Sequence, residues 1–253
     1  MKFQFKKYFL ILAILILGFT QSEAQTFGFG CLGLSGFYAG YSRQSFEFPG
    51  LNQYVNKQIE SNINLQSGSA EQMKFQILTG YRIGANFFRA KFHSIFISAK
   101  GYYQFLKQQQ QVSTQIQNSV VRQTYQVTMN HWGVGLDFGT KLFSVIDWKI
   151  VEGNVLFFNS DLTQEIFIDE VSQGQVKYSP DNAKVGYFLG TGLILQVVPD
   201  YISVEGTAGY NYIKIDKMNN STTGTIPTAT INQNIVDKGN FSVTLQLNIG
   251  FPL

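Results

Sequence analysis

The sequence has little cysteine, little charge and few long apolar runs, and each shortage excludes a class of protein. Cys31 is the single cysteine among 253 residues, so no intramolecular disulfide framework can form. Charged residues are 14% of the chain and the net charge is +3, with no clustered basic patch for nucleic acid. After the first 24 residues, no apolar run is long enough for a membrane-spanning helix. No phosphate-binding glycine loop or metal-ligand cluster is present, so we expect no cofactor and no metal.

The N-terminal segment Met1–Ala24 has the organisation of a secretory signal peptide. Three lysines precede an apolar core, Tyr8–Phe19, and small residues stand before Gln25. An uncleaved anchor is the alternative, but the apolar core is short of the roughly 20 residues that a spanning helix needs. We therefore predict export, cleavage after Ala24, and one mature domain, residues 25–253.

The chain is rich in glycine and aromatic residues, and apolar residues alternate with small or polar ones. In Phe241–Phe251 every odd position is apolar and every even position is small or polar, which is typical of a β-strand. Seven further segments show a similar alternation: Gly36–Arg43, Met73–Gly84, Ser94–Phe105, His131–Lys141, Trp148–Phe158, Lys184–Val197 and Tyr201–Tyr212. Their number is even, and each is near the roughly 9–11 residues that a tilted strand needs to cross a bilayer.

The predicted connections alternate in length. Three are short: Ala85–His93, Leu142–Asp147 and Val198–Tyr201. Four are long and polar: Gln44–Gln72, Lys107–Gln123, Asn159–Asn182 and Asp216–Gly239. Short turns at one end and long loops at the other are typical of outer-membrane barrels. We therefore predict an all-β fold: an antiparallel, up-and-down transmembrane β-barrel of about eight strands, with short periplasmic turns and long extracellular loops.

The long loops carry predictions of their own. The first contains Leu51, Val55, Ile59 and Ile63 at intervals of four, which predicts a short amphipathic helix. Its apolar stripe could pack on the rim of its own barrel, plug the mouth, lie in the outer leaflet or contact a partner protein. Loops two and three are predicted to continue as strands above the membrane, with Glu165–Tyr178 forming a hairpin that turns at Ser172–Gln175.

On these patterns the chain resembles small outer-membrane β-barrel proteins of Gram-negative bacteria, and the Ala24-Gln25 junction is typical of the Bacteroidota type. In that family the last strand carries the signal for the barrel-assembly machinery. Thr244, Ile249 and Phe251 match that signal, whereas Gln246 replaces its glycine and two residues follow the terminal aromatic. The resemblance implies localisation in the cell outer membrane, contact with outer-membrane lipid, and the assembly machinery as a partner during insertion.

The polar face of the strands contains a set of ionisable residues: Arg82, Lys100, Asp137, Glu152 and Glu205. Up-and-down strands would place Asp137, Glu152 and Glu205 at similar depth toward the periplasmic end, with Arg82 and Lys100 nearby. Buried charges are costly unless paired, so we predict a charge network across the lumen that packs a narrow barrel. A gate or narrow ion path is the functional alternative.

The sequence therefore favours a non-enzymatic outer-membrane protein, a monomer-capable barrel acting through its extracellular loops. These loops would form a binding surface, or a contact for a protein partner in a surface or secretion complex. A narrow, porin-like passive pore is the alternative. An outer-membrane enzyme is the third hypothesis, in which the inward-facing His131 would act with a serine such as Ser42. A soluble lipocalin-like carrier comes last.

Overall fold

The computed structural model describes residues 35–63, 72–116, 118–199, 201–220, 224–226 and 233–250. Met1–Ala24 and Phe251 lie outside these residues. The strands of the described chain are β1 (Gly36–Glu47), β2 (Ile77–Phe92), β3 (Ile95–Gln104), β4 (Lys107–Ile116), β5 (Ser119–Lys141), β6 (Ile146–Ile168), β7 (Val171–Tyr178), β8 (Lys184–Val198), β9 (Ile202–Tyr212), β10 (Asn219–Asn220), β11 (Gly224–Thr225) and β12 (Lys238–Gly250), and the helix is α1 (Pro49–Ile63). Within the described ranges, no helix combines the length and apolarity required to cross a membrane.

Eight of the strands form a closed ring. Each pairs antiparallel with its neighbours in the order β1, β2, β3, β5, β6, β8, β9, β12. The ring closes where β12 pairs with β1, with Tyr41 opposite Leu245. Closure leaves no open sheet edge in the barrel wall. The predicted eight-stranded antiparallel up-and-down barrel is confirmed, as is the helix in the first long connection.

The second and third long connections continue as strands beyond the ring. Strand β4 comes directly after β3 and pairs with the same neighbour, β5. Strand β7 comes directly before β8 and pairs with the same neighbour, β6. Strands β5 and β6 therefore run for 23 residues each. The predicted turn at Ser172–Gln175 is wrong, because these residues lie within β7. The chain turns instead at Asp169 and Glu170, whose φ angles of 47° and 68° give a tight two-residue turn.

The connections at the opposite end are short. The predicted connection Ala85–His93 is wrong in extent, because β2 continues to Phe92 and only His93 and Ser94 form the turn. A bulge between Asn86 and Phe88 interrupts the alternation there and hides the second half of the strand from a pattern search. We call this end of the barrel the short-turn end and the other the long-loop end.

The two faces of the barrel wall have opposite polarity. Leu245 is 59% exposed and Leu193 is 54% exposed on the outside, whereas Glu205 and Arg82 are 5% and 2% exposed in the lumen. A strand alternates its side chains between the two faces, so this polarity extends along each strand. The aliphatic face points outward and the ionisable face points inward.

Candidate functional site

A network of ionisable side chains fills the short-turn half of the lumen. Lys149 lies at its centre, with Nζ 2.9 Å from Glu152 Oε2 and 3.1 Å from Asp137 Oδ2, and it also pairs with Glu205. Lys100 Nζ lies 2.6 Å from Glu152 Oε1 and 3.0 Å from Asp137 Oδ1. All five side chains are buried. The network therefore joins β3, β5, β6 and β9 across the lumen.

Arg82, on β2, extends the network toward the long-loop end. Its guanidinium lies 4.1 Å from the centre of the Tyr102 ring, and its Nε donates to Gln104 Oε1 at 2.9 Å. One guanidinium nitrogen is 3.9 Å from Glu152 Oε1. Three cations thus face three carboxylates. Buried charges are tolerated when paired in this way, so the network is a neutral unit that connects five of the eight barrel strands.

The structure brings together the five ionisable residues that the sequence pointed to and adds Lys149, which the alternation missed. Lys149 stands three positions before the inward-facing Glu152, so strict alternation would place it on the outer face of the barrel. A bulge between these two residues shifts the register by one, so both face the lumen. The signal available in the sequence was the imbalance of two bases against three acids, which predicts one more buried cation.

An apolar layer occupies the long-loop half of the lumen. Residues of α1 and of the first and fourth long connections pack onto the barrel wall at the long-loop end. The layer includes Phe46, Phe48, Leu51, Val55, Ile59, Phe75, Leu78, Leu106, Met129, Phe158, Ile213, Ile215, Met218, Ile235 and Val236. We call this set the plug. Leu51, Val55 and Ile59, the predicted helical stripe, are buried in it, so the stripe faces its own barrel and not solvent; the side chain of Ile63 lies outside the described residues.

Hydrogen bonds from α1 hold the chain that enters β2. The side-chain amide of Asn52 accepts from Phe75 N at 2.7 Å and donates to Phe75 O at 3.1 Å. Asn56, one helical turn later, makes the same pair of bonds with Met73 at 2.8 Å and 3.0 Å. Residues four apart lie on one side of a helix, so the two amides match the two-residue repeat of an extended chain.

The other edge of this segment is bound by glutamines of β4. Gln108 Oε1 accepts from Gln76 N at 2.9 Å and from Ile77 N at 3.2 Å. Gln110 Oε1 accepts from Lys74 N at 3.1 Å. The glutamines of β4 therefore fix the segment that enters β2 to the sheet beside it.

A four-stranded sheet, β4-β5-β6-β7, projects beyond the ring at the long-loop end, and we call it the platform. Its inner face packs on the plug through Tyr125, Val127, Leu162 and Tyr178, which are buried. Its outer face presents rows of polar residues across the four strands. These rows are Gln109, Gln126, Thr163 and Lys177, and Gln111, Thr124, Glu165 and Gln175. Uncharged amides and hydroxyls predominate on this face, which offers hydrogen-bond donors and acceptors.

Two buried tyrosines donate hydrogen bonds at the inner face of the platform, and one of them, Tyr54, joins the platform to α1. Tyr54 of α1 donates a hydrogen bond to the hydroxyl of Tyr178 at 3.2 Å, and Tyr125 donates to Gln123 Oε1 at 2.9 Å. Burial, and for Tyr54 the bond to Tyr178, raises the pKa of both Tyr54 and Tyr125 well above the usual tyrosine range. Both therefore remain neutral hydroxyl groups at physiological pH.

His131 and Ser42, the two residues of the enzyme hypothesis, have different neighbours in the lumen. His131 is buried against Phe158, with ring centres 4.4 Å apart, and its Nδ1 is 3.4 Å from Met129 O. Ser42 is bonded to the hydroxyl of Thr244 at 2.8 Å and to Val243 O at 3.3 Å. Ser42 is therefore held by local hydrogen bonds, whereas Nε2 of His131 is buried without a hydrogen-bond partner.

Comparison with known proteins finds no matching family model and no matching curated protein. Among solved structures, the chain is similar to crystal structures of Ail, the attachment invasion locus protein of Yersinia pestis. One is of Ail alone, with 10% identity, 86% of this chain and 97% of that chain covered, and a TM-score of 0.36. The other is its complex with the heparin analogue sucrose octasulfate, with 9% identity, the same coverage and a TM-score of 0.38. At these values the likeness says nothing about what this chain binds.

Proposed function

We propose that the protein is an integral outer-membrane barrel with a closed lumen, and that it acts as a non-enzymatic binding surface through its platform. Its partner would be a molecule at the cell surface or another subunit of a surface complex. The observation that carries the proposal is the length of β5 and β6. At 23 residues each, they are about twice as long as a bilayer requires, and the excess is built into an ordered sheet.

The outward face of the ring supports membrane insertion. Exposed apolar side chains follow one another along every strand of the ring, as on β12, where Val243, Leu245, Leu247 and Ile249 are exposed. A soluble protein rarely exposes an apolar band that encircles it, whereas hydrocarbon is a suitable solvent for such a surface.

The interior supports a closed lumen and argues against the pore. The charge network crosses the short-turn half and the plug fills the long-loop half, so the described residues occupy the lumen at two successive levels. An eight-stranded barrel has an interior just wide enough for side chains to fill. The charge network has the pairing of a structural unit, since each of its cations faces a carboxylate.

The platform supports the binding role because its outer face is not needed for packing. Gln109, Gln111 and Gln175 are exposed, while the alternate residues on the same strands pack on the plug. A face rich in neutral amides suits a partner recognised by many hydrogen bonds rather than by charge.

The experiment places a photo-reactive benzophenone side chain at Gln111 on the outer face, or at Val112, the adjacent residue that faces the plug. On intact cells we expect a covalent adduct from the probe at Gln111 and none from the probe at Val112. Replacing Gln126 and Thr124 with alanine should reduce the adduct, because these residues lie beside the probe on β5. Equal adducts from both positions, or an adduct unaffected by the alanine variant, would refute the platform as the binding surface.

Membrane insertion is measured separately. The protein should be recovered in the outer-membrane fraction and should migrate differently on a gel before and after heating. Recovery in the soluble fraction without detergent would exclude an integral barrel, whatever the platform binds.

A further inference from the structure

Arg43 of β1 and Lys107 of β4 lie on the outward surface of the barrel, at the long-loop end of its wall. Arg43 pairs across the sheet with Thr79 of β2, and Thr79 pairs in turn with Lys107. The two cations are exposed, and Thr79 is half-buried between them. Neighbouring strands are about 4.8 Å apart, so the backbones of the two cations are roughly 10 Å apart and their long side chains can reach a common ligand. We call these three residues the cationic row.

The charges of the cationic row are not compensated by the protein. In the described part of the chain, neither Arg43 nor Lys107 lies within ion-pair distance of a carboxylate. Other lysines at this end are paired: Lys177 with Asp161 at 3.0 Å, Lys238 with Glu47 at 3.4 Å and Lys214 with Asp216 at 3.7 Å. Across the sheet, the row continues with Val243 beside Arg43 and with Thr128 beside Lys107. The row therefore has two positive charges that an anion would complement.

Three aromatic side chains adjoin the cationic row on its short-turn side. Tyr41, Tyr81 and Phe105 each stand two residues along the chain from a member of the row, and they are exposed on the same outward surface. The ring centres of Tyr41 and Tyr81 are 5.6 Å apart, and Phe105 N donates to Tyr81 O at 2.8 Å. We call these three residues the aromatic row. Aromatic belts mark the level where hydrocarbon meets lipid headgroups, so the cations beyond this belt lie at headgroup level.

We propose that the cationic row binds the headgroup phosphate of an anionic lipid in the outer leaflet, while the acyl chains of that lipid lie over the aromatic row. Arg43 can donate two parallel hydrogen bonds to a phosphate, Lys107 supplies a point charge, and Thr79 supplies a hydroxyl. A free phosphate ion would use the cationic row alone, whereas a lipid matches both rows. The inference rests on the membrane insertion proposed above and is independent of the platform.

The test uses the two tryptophans of the chain, which lie in different halves of the barrel wall. Trp132 packs on Tyr103, with ring centres 4.8 Å apart, and Tyr103 stands four residues before Lys107. Trp148 lies at the short-turn end, near the start of β6. In the variant W148F, the fluorescence of Trp132 therefore reports on lipid next to the two rows.

The full-length W148F protein is reconstituted in phosphatidylcholine vesicles that contain brominated phosphatidic acid or brominated phosphatidylcholine. Bromine quenches a tryptophan that it approaches, so quenching measures which lipid occupies the surface. The variant R43Q/K107Q removes both charges of the cationic row, and R43K/K107R keeps them. The control K214Q/K238Q removes two exposed lysines at the same end, so its change in net charge equals that of R43Q/K107Q. Heat-dependent gel migration identifies the variants that fold.

We expect brominated phosphatidic acid to be preferred at Trp132 by about fivefold or more, since each basic residue at a charged leaflet contributes a factor of about five. R43Q/K107Q should lose this preference, whereas R43K/K107R and K214Q/K238Q should retain it. Equal quenching by the two lipids in W148F would overturn the proposal. An equal loss of preference in R43Q/K107Q and K214Q/K238Q would also overturn it, because net charge alone would then explain the preference.

Membrane insertion is read from the same vesicles. Brominated phosphatidylcholine should quench Trp132 in W148F and Trp148 in W132F, because both side chains face the hydrocarbon. Absence of this quenching would refute insertion, whereas quenching without a preference for phosphatidic acid would refute the headgroup site alone.

Discussion

Lys149 determines whether the lumen network is balanced, because it contacts three carboxylates. Replacing it with methionine removes the charge but keeps most of the volume. Asp137, Glu152 and Glu205 would then share the two remaining cations, and breaking a buried ion pair in this way costs about 3–5 kcal/mol. We expect K149M to lower the free energy of unfolding in urea by about that amount. K214M, at an exposed lysine, should change it by less than about 0.5 kcal/mol.

The double variant K149M/E205Q separates the charge from the packing. Removing one carboxylate along with the lysine restores the charge balance, so part of the lost stability should return. If the double variant is as unstable as the sum of K149M and E205Q, the network does not act as a unit.

Gly133 is required because an aromatic ring covers it. A Cβ at this position would overlap the Tyr102 ring, on which the guanidinium of Arg82 rests. G133A should therefore displace the ring and destabilise the protein by about 1–3 kcal/mol, as overpacking does. Gly153, on the neighbouring strand β6, has nothing within 4 Å of its Cβ position and provides the matched control. Equal unfolding free energies for G133A and G153A would contradict this account.

Among the elements, the segment that enters β2 is predicted to depend on two asparagines of α1. N52L/N56L keeps side chains of similar size but leaves the backbone groups of Phe75 and Met73 without partners. We expect hydrogen exchange at the amides of these two residues to accelerate strongly, by about tenfold or more, since each lost bond leaves a buried group unsatisfied. E60A, on the exposed side of the same helix, should leave these amides unchanged. Unchanged exchange in N52L/N56L would show that the plug holds the segment without them.

The strands illustrate which elements can be predicted from sequence. From Phe241 onward in β12 the strict alternation predicts both the strand and its outward face, because the register shift against β1 lies at the start of the strand, between Gly239 and Ser242. On β6 and β2 a bulge shifts the register by one, and this shift hid Lys149 and the second half of β2. A bulge depends on pairing with a distant strand, so a local pattern cannot reveal it. The turn at Asp169 and Glu170 was missed for a related reason, since Gly174 gave a stronger local signal than two residues with positive φ.

At the scale of the whole molecule, the sequence predicted the barrel but not how its interior is divided. Alternation sorts residues into inward and outward faces, and it placed Arg82 and Glu205 in the lumen. It does not say how far a long connection folds back. The plug depends on the first and fourth connections meeting over the barrel, as where Gly50 N donates to Asn234 O at 2.9 Å, and such contacts between distant residues leave no periodic signal.

The two-level filling of the lumen predicts that the protein does not conduct ions in a planar bilayer. The charge network and the plug lie in series, so a variant that breaches only one level should remain silent. We expect no steady current from K149A/E152A, which opens the network, or from F46A/L51A, which thins the plug. Only the combined quadruple variant should show small conductance steps, because an eight-stranded barrel leaves a narrow passage once its filling is removed. Heat-dependent gel migration identifies variants that still fold. A steady current from the wild type would refute the closed lumen and establish the pore in its place, whereas a current from one double variant alone would show that a single level forms the seal.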